Sequence, residues 1–274
     1  MKSATMHKPW LFPLVAALLA AGALALWGWN AWSAIFAVLM LGCWIMFVYG
    51  WFLATRALAA LDEAPVTTRG MTMNWAAPIY DWYCPKLGLG KAFRNATLRL
   101  AALQPGERVL EVGCGTGVLT RLAAQAVGAS GHVVGIDPSY AMLLVAGQTA
   151  VCKASHVEFK AAAIEHLPFE DNSLDVVLSS LMLHHLPPDV KHAGLHEVHR
   201  VLKPGGRLLV VDVDRPGNIL GWLILWPWLF VPMTAPNLRG EIPHYLRAAG
   251  FDAVQQRGRW YGVLTFWTAR KPGD

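Results

Sequence analysis

The clearest chemistry in this chain lies at 110–120, "LEVGCGTGVLT". Gly113, Gly115 and Gly117 alternate with other residues, a spacing that suits positive φ and close approach of a ligand to the backbone. The dinucleotide fingerprint is G-x-G-x-x-G, and here Val118 stands where its third glycine would be. A pyrophosphate needs free N–H groups at a helix start. A G-x-G-x-G turn beside a carboxylate, Glu111, better suits a compact nucleoside with a zwitterionic amino-acid tail. That spacing disfavours a nicotinamide oxidoreductase.

The next reactive residues are histidines and aspartates. "LMLHHLPPD" (181–189) holds His184 and His185, which either touch a bound acceptor or end a turn and pack. Asp212 and Asp214 fall near the end of a strand, where ligands bind in open α/β sheets. His184, His185, Asp212 and Asp214 are therefore candidate bases. His192, His196 and His199 share a helix face by spacing. With no acidic helper of the HExxH kind, that run reads as a solvated face, and no metal is expected.

These groups need a frame to hold them. "RVLEV" (108–112), "HVVGID" (132–137), "VEFKA" (157–161), "LDVVLSS" (174–180) and "GRLLVVDV" (206–213) are short β-rich runs. Helical stretches separate them, from about Val118 to Val127, from about Ser139, and over "VKHAGLHEVHRVL", which "PGG" at 204–206 should stop. Such alternation argues for a doubly wound parallel sheet. The tail, "FDAVQQRGRWYGVLTFWTARKP", reads as an antiparallel hairpin turning near "RWYG" on the sheet edge.

"EVGCGTG", then "GIDPS", "LPFEDNSLDVV" and "RVLKPGG", in that order and at these intervals, resembles the class I S-adenosylmethionine-dependent methyltransferases over about residues 75–274. The resemblance implies S-adenosyl-L-methionine as cofactor. The glycines, with Cys114 between them, would lie against its methionine part, and Glu111 would hold its ammonium directly or through water. Asp137, followed by Pro138, would accept both ribose hydroxyls, since one carboxylate can take two hydrogen bonds. Met142 would pack on adenine or simply belong to the core. Ser180, closing the fourth strand, belongs to the same implied site. Many relatives carry an Asp after strand three; this chain has "AAAIEHLPF", with Ala163 at that place. Adenine recognition would then fall to backbone near Ile164, or to Glu165. "NWAAPIYDWYCPKLGLG" (74–90) resembles the lid of quinone-precursor and phospholipid N-methyltransferases. Its Tyr80 and Tyr83 either close over a sulfonium or pack the lid.

Composition adds a second theme. Hydrophobic residues make up 55% of the 274 and charged residues only 15%, against roughly a quarter charged in soluble domains. No charged residue occurs from Pro9 to Thr55, long enough for two spans of roughly 20 residues each. A transmembrane hairpin turning at "GWNAW" is expected there, rather than a cleaved signal, because a second apolar span follows at once. Lys2 and Lys8 before it and Arg56 after it place both ends in the cytoplasm. The expected organisation is a cytoplasmic tail (1–8), the hairpin (9–55), an interfacial linker (56–74) and the methyltransferase domain (75–274). The fold class is then a Rossmann-like, doubly wound, mostly parallel seven-stranded sheet preceded by two transmembrane helices, at the inner (cytoplasmic) membrane. The net charge of +5 suits an anionic bilayer. No basic stripe points to nucleic acid. Cys43, Cys84, Cys114 and Cys152 lack CxxC spacing and read as thiols.

An insertion at 215–240 contains "ILGWLILWPWLFVP", too short to span and broken by Pro227 and Pro232. It is core, an interfacial helix, or an apolar wall of the acceptor pocket. Trp222 and Trp226 are spaced to share one helix face. The expected activity is methyl transfer to a lipophilic acceptor, a phospholipid amine or a quinone or isoprenoid precursor. The alternatives are S-methylation of a small thiol or chalcogen compound, and a non-catalytic membrane scaffold that keeps the fold.

Overall fold

The computed structural model describes residues 66–150 and 157–273, together with Gly42. The expected hairpin at 9–55 lies outside the described residues, Gly42 apart, and so do Cys43 and Cys152. Among the described residues no helix is long and apolar enough to cross a membrane.

Seven strands form one sheet in the order β3-β2-β1-β4-β5-β7-β6. The strands are β1 (Arg108–Val112), β2 (His132–Asp137), β3 (Val157–Ala161), β4 (Leu174–Ser180), β5 (Leu202–Val213), β6 (Asp252–Trp260) and β7 (Leu264–Arg270). The first five pair in parallel, and β7 runs antiparallel to both neighbours. The eight α-helices described are α1 (Tyr80–Tyr83), α2 (Lys91–Ala101), α3 (Val118–Val127), α4 (Tyr140–Ala150), α5 (Pro188–Val201), α6 (Ile219–Leu225), α7 (Ala235–Leu238) and α8 (Ile242–Ala248).

Alternation along the strands sends successive side chains to opposite faces. Leu110 and Val112 of β1 pack on one side with Val190, Leu195 and Val198 of α5 and Leu246 of α8. Val109 packs on the other with Leu119, Ala123 and Val127 of α3 and Ala101 of α2. Both faces are covered, as a parallel sheet requires. Truncating one of these buried leucines to alanine costs about 2–5 kcal/mol, so the sheet is a rigid base for the loops at its carboxyl edge.

The runs that carry the family resemblance meet in space. The Arg200 guanidinium donates to the carbonyls of Leu167 (3.1 Å) and Phe169 (2.8 Å), and Glu197 accepts the Leu167 N–H (2.9 Å). The "LPFEDN" loop is thus fastened to α5, which sets where β4 begins.

Three local expectations need correction. "PGG" does not separate α5 from β5: the strand starts at Leu202 and runs through it, with a register break opposite Leu174–Val176. The lid, whose tyrosines are expected to pack a lid helix or close over a sulfonium, is not one helix; Pro85 and the glycines after it leave α1 between 3-10 turns at Asn74–Ala76 and Cys84–Leu87. The linker expected at 56–74 is, from Thr68 onward, part of the folded domain: Met71 N–H donates to the His185 carbonyl at 2.9 Å.

Candidate active site

A cleft with about 720 Å3 of empty space, part of it open to solvent, sits at the carboxyl ends of β1, β2 and β4. Gly113, Gly115, Asp137, Pro138, Met142, Ala163, Ile164, Ser180, Tyr80 and His185 all line it. Residues 68 and 70–73 form a wall that the sequence did not reveal, as do Leu181, Met182 and Leu186.

Asp137 is placed by β2 and held by two backbone donors. Gly115 N–H reaches Oδ2 at 2.9 Å, and Ser139 N–H reaches Oδ1 at 2.8 Å. A carboxylate has about four acceptor positions, so each oxygen keeps capacity for a ligand. Burial raises its pKa to about 6, against the pull of those two N–H groups. Gly113 takes φ +69, and a Cβ there would strike the Met182 side chain. Met182 is brought there by Leu181, itself in the left-handed region at φ 58; strain of this kind concentrates at functional sites.

Glu111, Cys114 and Gly117 stand behind this cleft rather than in its lining. Glu111 is buried and accepts the Thr120 hydroxyl. Gly117, at φ +71, makes room for Phe159 and Ala146 between α3 and α4. Burial pushes the Glu111 pKa up from 4.5 to about 7, over the opposing Thr120 hydrogen bond. The folded chain therefore holds this proton more tightly than the unfolded chain. The resulting stabilisation is complete below pH 4.5 and is lost as pH rises through about 7. Urea melts without cofactor should show stability falling by up to about 3 kcal/mol between pH 5 and 8 from this group. Glu111→Gln should flatten that slope; an equally steep variant would assign the slope elsewhere.

Two further contacts fasten the lid over the glycine loop. Thr116 Oγ1 donates to Asp81 at 2.6 Å, and Ser139 Oγ donates to Asn74 at 2.5 Å. Tyr80 meets Tyr83 edge-on, with ring centroids 5.6 Å apart. Met142 packs in the same cluster as Ala76, Ala77 and Tyr80. It is both a core residue and part of the cleft lining. Beside Ala163, Glu165 Oε1 accepts the Thr68 hydroxyl at 2.7 Å, while its Oε2 is buried with no partner.

The histidines and aspartates separate into distinct roles. His184 Nδ1 lies 2.6 Å from Asp212 Oδ1. Asp212 is fully buried and also accepts N–H groups of Leu183 and Val213, each at 2.7 Å. Burial alone would raise its pKa, but the His184 charge and hydrogen bond prevail and lower it. Neither residue lines the cleft; His185 does, stacked on His184 at 3.9 Å between centroids. Burial drives the His185 pKa down to about 3, and its Nδ1 has no partner. Asp214 is spent on Trp267 Nε1 at 2.8 Å. His192 stacks on Tyr245 and His199 on Phe251, so both serve packing. Lys191, which sequence patterning does not single out, has a buried ammonium that donates to the Met233 carbonyl (2.6 Å) and Asn237 Oδ1 (2.7 Å). It ties the 215–240 insertion to α5.

Comparison with known proteins decides what this cleft serves. The methyltransferase domain family matches residues 109–206. The ubiquinone/menaquinone biosynthesis C-methyltransferase UbiE of Ectopseudomonas mendocina is 42% identical over 208 residues, covering 68% of this chain and 80% of that protein. This chain belongs to the class I S-adenosylmethionine-dependent methyltransferases. The demethylmenaquinone methyltransferase of Bacillus cereus is 33% identical over 205 residues, covering 66% of this methyltransferase and 85% of its own length. Among solved structures, a SAM dependent methyltransferase from Aquifex aeolicus gives a TM-score of 0.52 at 22% identity, over 65% of this chain and 88% of that one. Haemonchus contortus phosphoethanolamine N-methyltransferase 2, in complex with S-adenosyl-L-methionine, gives 0.55 at 21% identity, over 67% and 53%. At that identity the two structures establish the fold of the methyltransferase. Its cofactor is S-adenosylmethionine, and the cleft fits it: a carboxylate with spare acceptor capacity, a glycine cradle that a Cβ would fill, and an orphaned Glu165 oxygen.

Proposed function

We propose that this methyltransferase methylates a ring carbon of a quinone-type, lipophilic acceptor. The observation that carries the reading is the 42% identity to a ubiquinone/menaquinone C-methyltransferase across 80% of that protein. The charge-free run from Pro9 to Thr55 supports an acceptor that resides in a bilayer, since it gives the chain the means to be held there. Lys2, Lys8 and Arg56 favour a catalytic domain on the cytoplasmic side.

When bound, the cofactor supplies a methyl group already activated on a sulfonium. The protein's part is then alignment and exclusion of water. Asp137 takes the ribose hydroxyls, and the Gly113–Gly115 turn admits the methionine part. The unpartnered Glu165 Oε2 takes the adenine amine in place of the Asp that Ala163 replaces. Tyr80 and residues 68–73 close the cleft. His185, neutral across the physiological range, accepts a hydrogen bond from a ring hydroxyl of the acceptor and sets the angle of the carbon to be methylated. His184 and Asp212 hold His185 from behind.

The test is a product screen. Purified full-length protein with methyl-labelled S-adenosylmethionine and a lipid extract should place label in a prenylated quinone. Label confined to a phospholipid headgroup, or to a volatile thioether from an added thiol, would overturn the ring-carbon reading and leave the methyltransferase assignment intact.

A further inference from the structure

The insertion at 215–240 divides in two: residues 234–238 are buried, whereas 219–232, Gly221 apart, are neither core nor a wall of the cleft, which no residue of the insertion lines. Ile219 is 81% exposed, Leu223 66% and Phe230 78%. α6 ends at Leu225, and a 3-10 turn follows over Trp226–Phe230 with Pro227 near its start, so the apolar side chains fan outward on two short elements. Monomeric soluble proteins rarely leave large contiguous apolar patches bare.

Two other segments extend the same patch. Trp82 and Leu87 of the lid are 60% and 62% exposed, and Tyr261 at the β6–β7 turn is 70% exposed. The Tyr261 ring packs against Gly88, and Trp260 Nε1 donates to the Gly88 carbonyl at 3.1 Å, joining lid to turn. Gly217 N–H donates to the Gly262 carbonyl at 2.8 Å, and Asn218 packs against Gly262, joining turn to insertion. Three stretches far apart in sequence thus build one apolar face. It lies at the carboxyl edge of the sheet, the edge that carries the cleft.

We propose that this face seats on an anionic bilayer surface. Its charges match that occupant. No carboxylate occurs from Pro216 to Leu238. Lys86 Nζ lies 3.2 Å from the Trp82 ring centroid, and Arg259 donates to the Arg215 carbonyl at the foot of α6, so cations border the apolar side chains. The nearest lid carboxylate, Asp81, is engaged by Thr116. Tryptophan and tyrosine with a basic border are the residues of a membrane interface. The uncharged Pro9–Thr55 run supplies the means to hold the domain near that surface. The proposal rests on the membrane-anchored reading above, and goes beyond it in fixing which face meets lipid: the cleft mouth turns toward the layer from which an acceptor would come.

The test uses the full chain in vesicles of phosphatidylcholine with about a quarter phosphatidylglycerol. A p-benzoylphenylalanine photoprobe is placed at Leu223, or at Ser130, exposed in the loop before β2 at the opposite edge of the sheet. Phospholipid adducts at 223 should exceed those at 130 by about fivefold or more, the gap expected if only one face enters the interfacial layer. Adducts to protein alone, from a second copy or from residues 9–55, would overturn the proposal, as would equal capture at both positions. A Leu223→Asp/Phe230→Asp variant, altered only at exposed positions, should raise the KM for a vesicle-borne acceptor and leave cofactor affinity unchanged. Lipid capture at 223 without methylation of any lipophilic acceptor would sink the quinone reading alone. Quinone methylation without lipid capture would sink the docking face alone.

Discussion

Asp137→Ala is expected to weaken S-adenosylmethionine binding about 100-fold, with little loss of fold. A hydrogen bond to a charged group contributes roughly 1.5–3 kcal/mol, and tenfold in affinity is about 1.4 kcal/mol. The variant loses the carboxylate that would take the ribose and also frees the N–H groups of Gly115 and Ser139, which now brace the turn. Asp137→Asn keeps one acceptor and should fall between. Titration calorimetry reads the loss directly, and a change under threefold in the alanine variant would remove Asp137 from the site. The pKa of about 6 gives the effect a pH signature. Affinity should be level above pH 7 and decline as the carboxyl protonates below about 6, a decline absent from the asparagine variant. Glu165→Ala, with only one unpartnered oxygen at stake, should cost about tenfold.

The second large effect is expected at His185. His185→Leu should lower kcat/KM about 100-fold while the cofactor dissociation constant stays within threefold, the size of loss typical when a positioned polar group is removed from a reacting site. Its pKa near 3 makes it a poor proton acceptor at neutral pH. The role is therefore one of positioning, and the wild-type pH profile should show no inflection from it between pH 5 and 9. Asp212→Asn should act in the same direction through His184, since it exchanges a buried carboxylate for an amide opposite His184 Nδ1. The two variants combined should lose far less than the product of their separate losses, because groups that act as one unit are not additive. A His185→Leu enzyme with normal turnover and weakened cofactor binding would place the ring in the cofactor site instead.

Much of this was legible in the sequence, and the reason is local. β1 to β4 begin and end where the β-rich runs do, because β1, β2 and β4 are short runs rich in Val, Ile and Leu between turn residues and β3 alternates apolar Val157 and Phe159 with charged residues. The glycine loop and Asp137 could be placed at the cleft because they sit at strand ends, where one residue's position follows from the strand, while the roles expected of them came from the family resemblance. The cleft wall at 68–73 was illegible. Nothing in "TRGMTM" announces that Thr68 will reach Glu165, 97 positions away. The Asp212–His184–His185 arrangement was hidden for the same reason: its members come from β5 and from the turn after β4, and only the register of the sheet brings them together. α2 and α8 also went unforeseen. Lys191 shows the limit most plainly, since a lysine on a helix is ordinarily solvated, and only the folded-back insertion supplies the two oxygens that bury it.

The contact between Thr68 and Glu165 has a mechanical consequence. The wall of the cofactor cleft begins about a dozen residues after the uncharged run ends at Thr55, and a chain of that length reaches at most about 45 Å. On the membrane-anchored reading the enzyme is a leashed catalyst that meets its acceptor by search in two dimensions. Its rate would follow the surface density of acceptor in the bilayer and not the bulk concentration. Lengthening the leash with glycine and serine would dilute the domain at the surface roughly as the −3/2 power of length, without touching a single residue of the site.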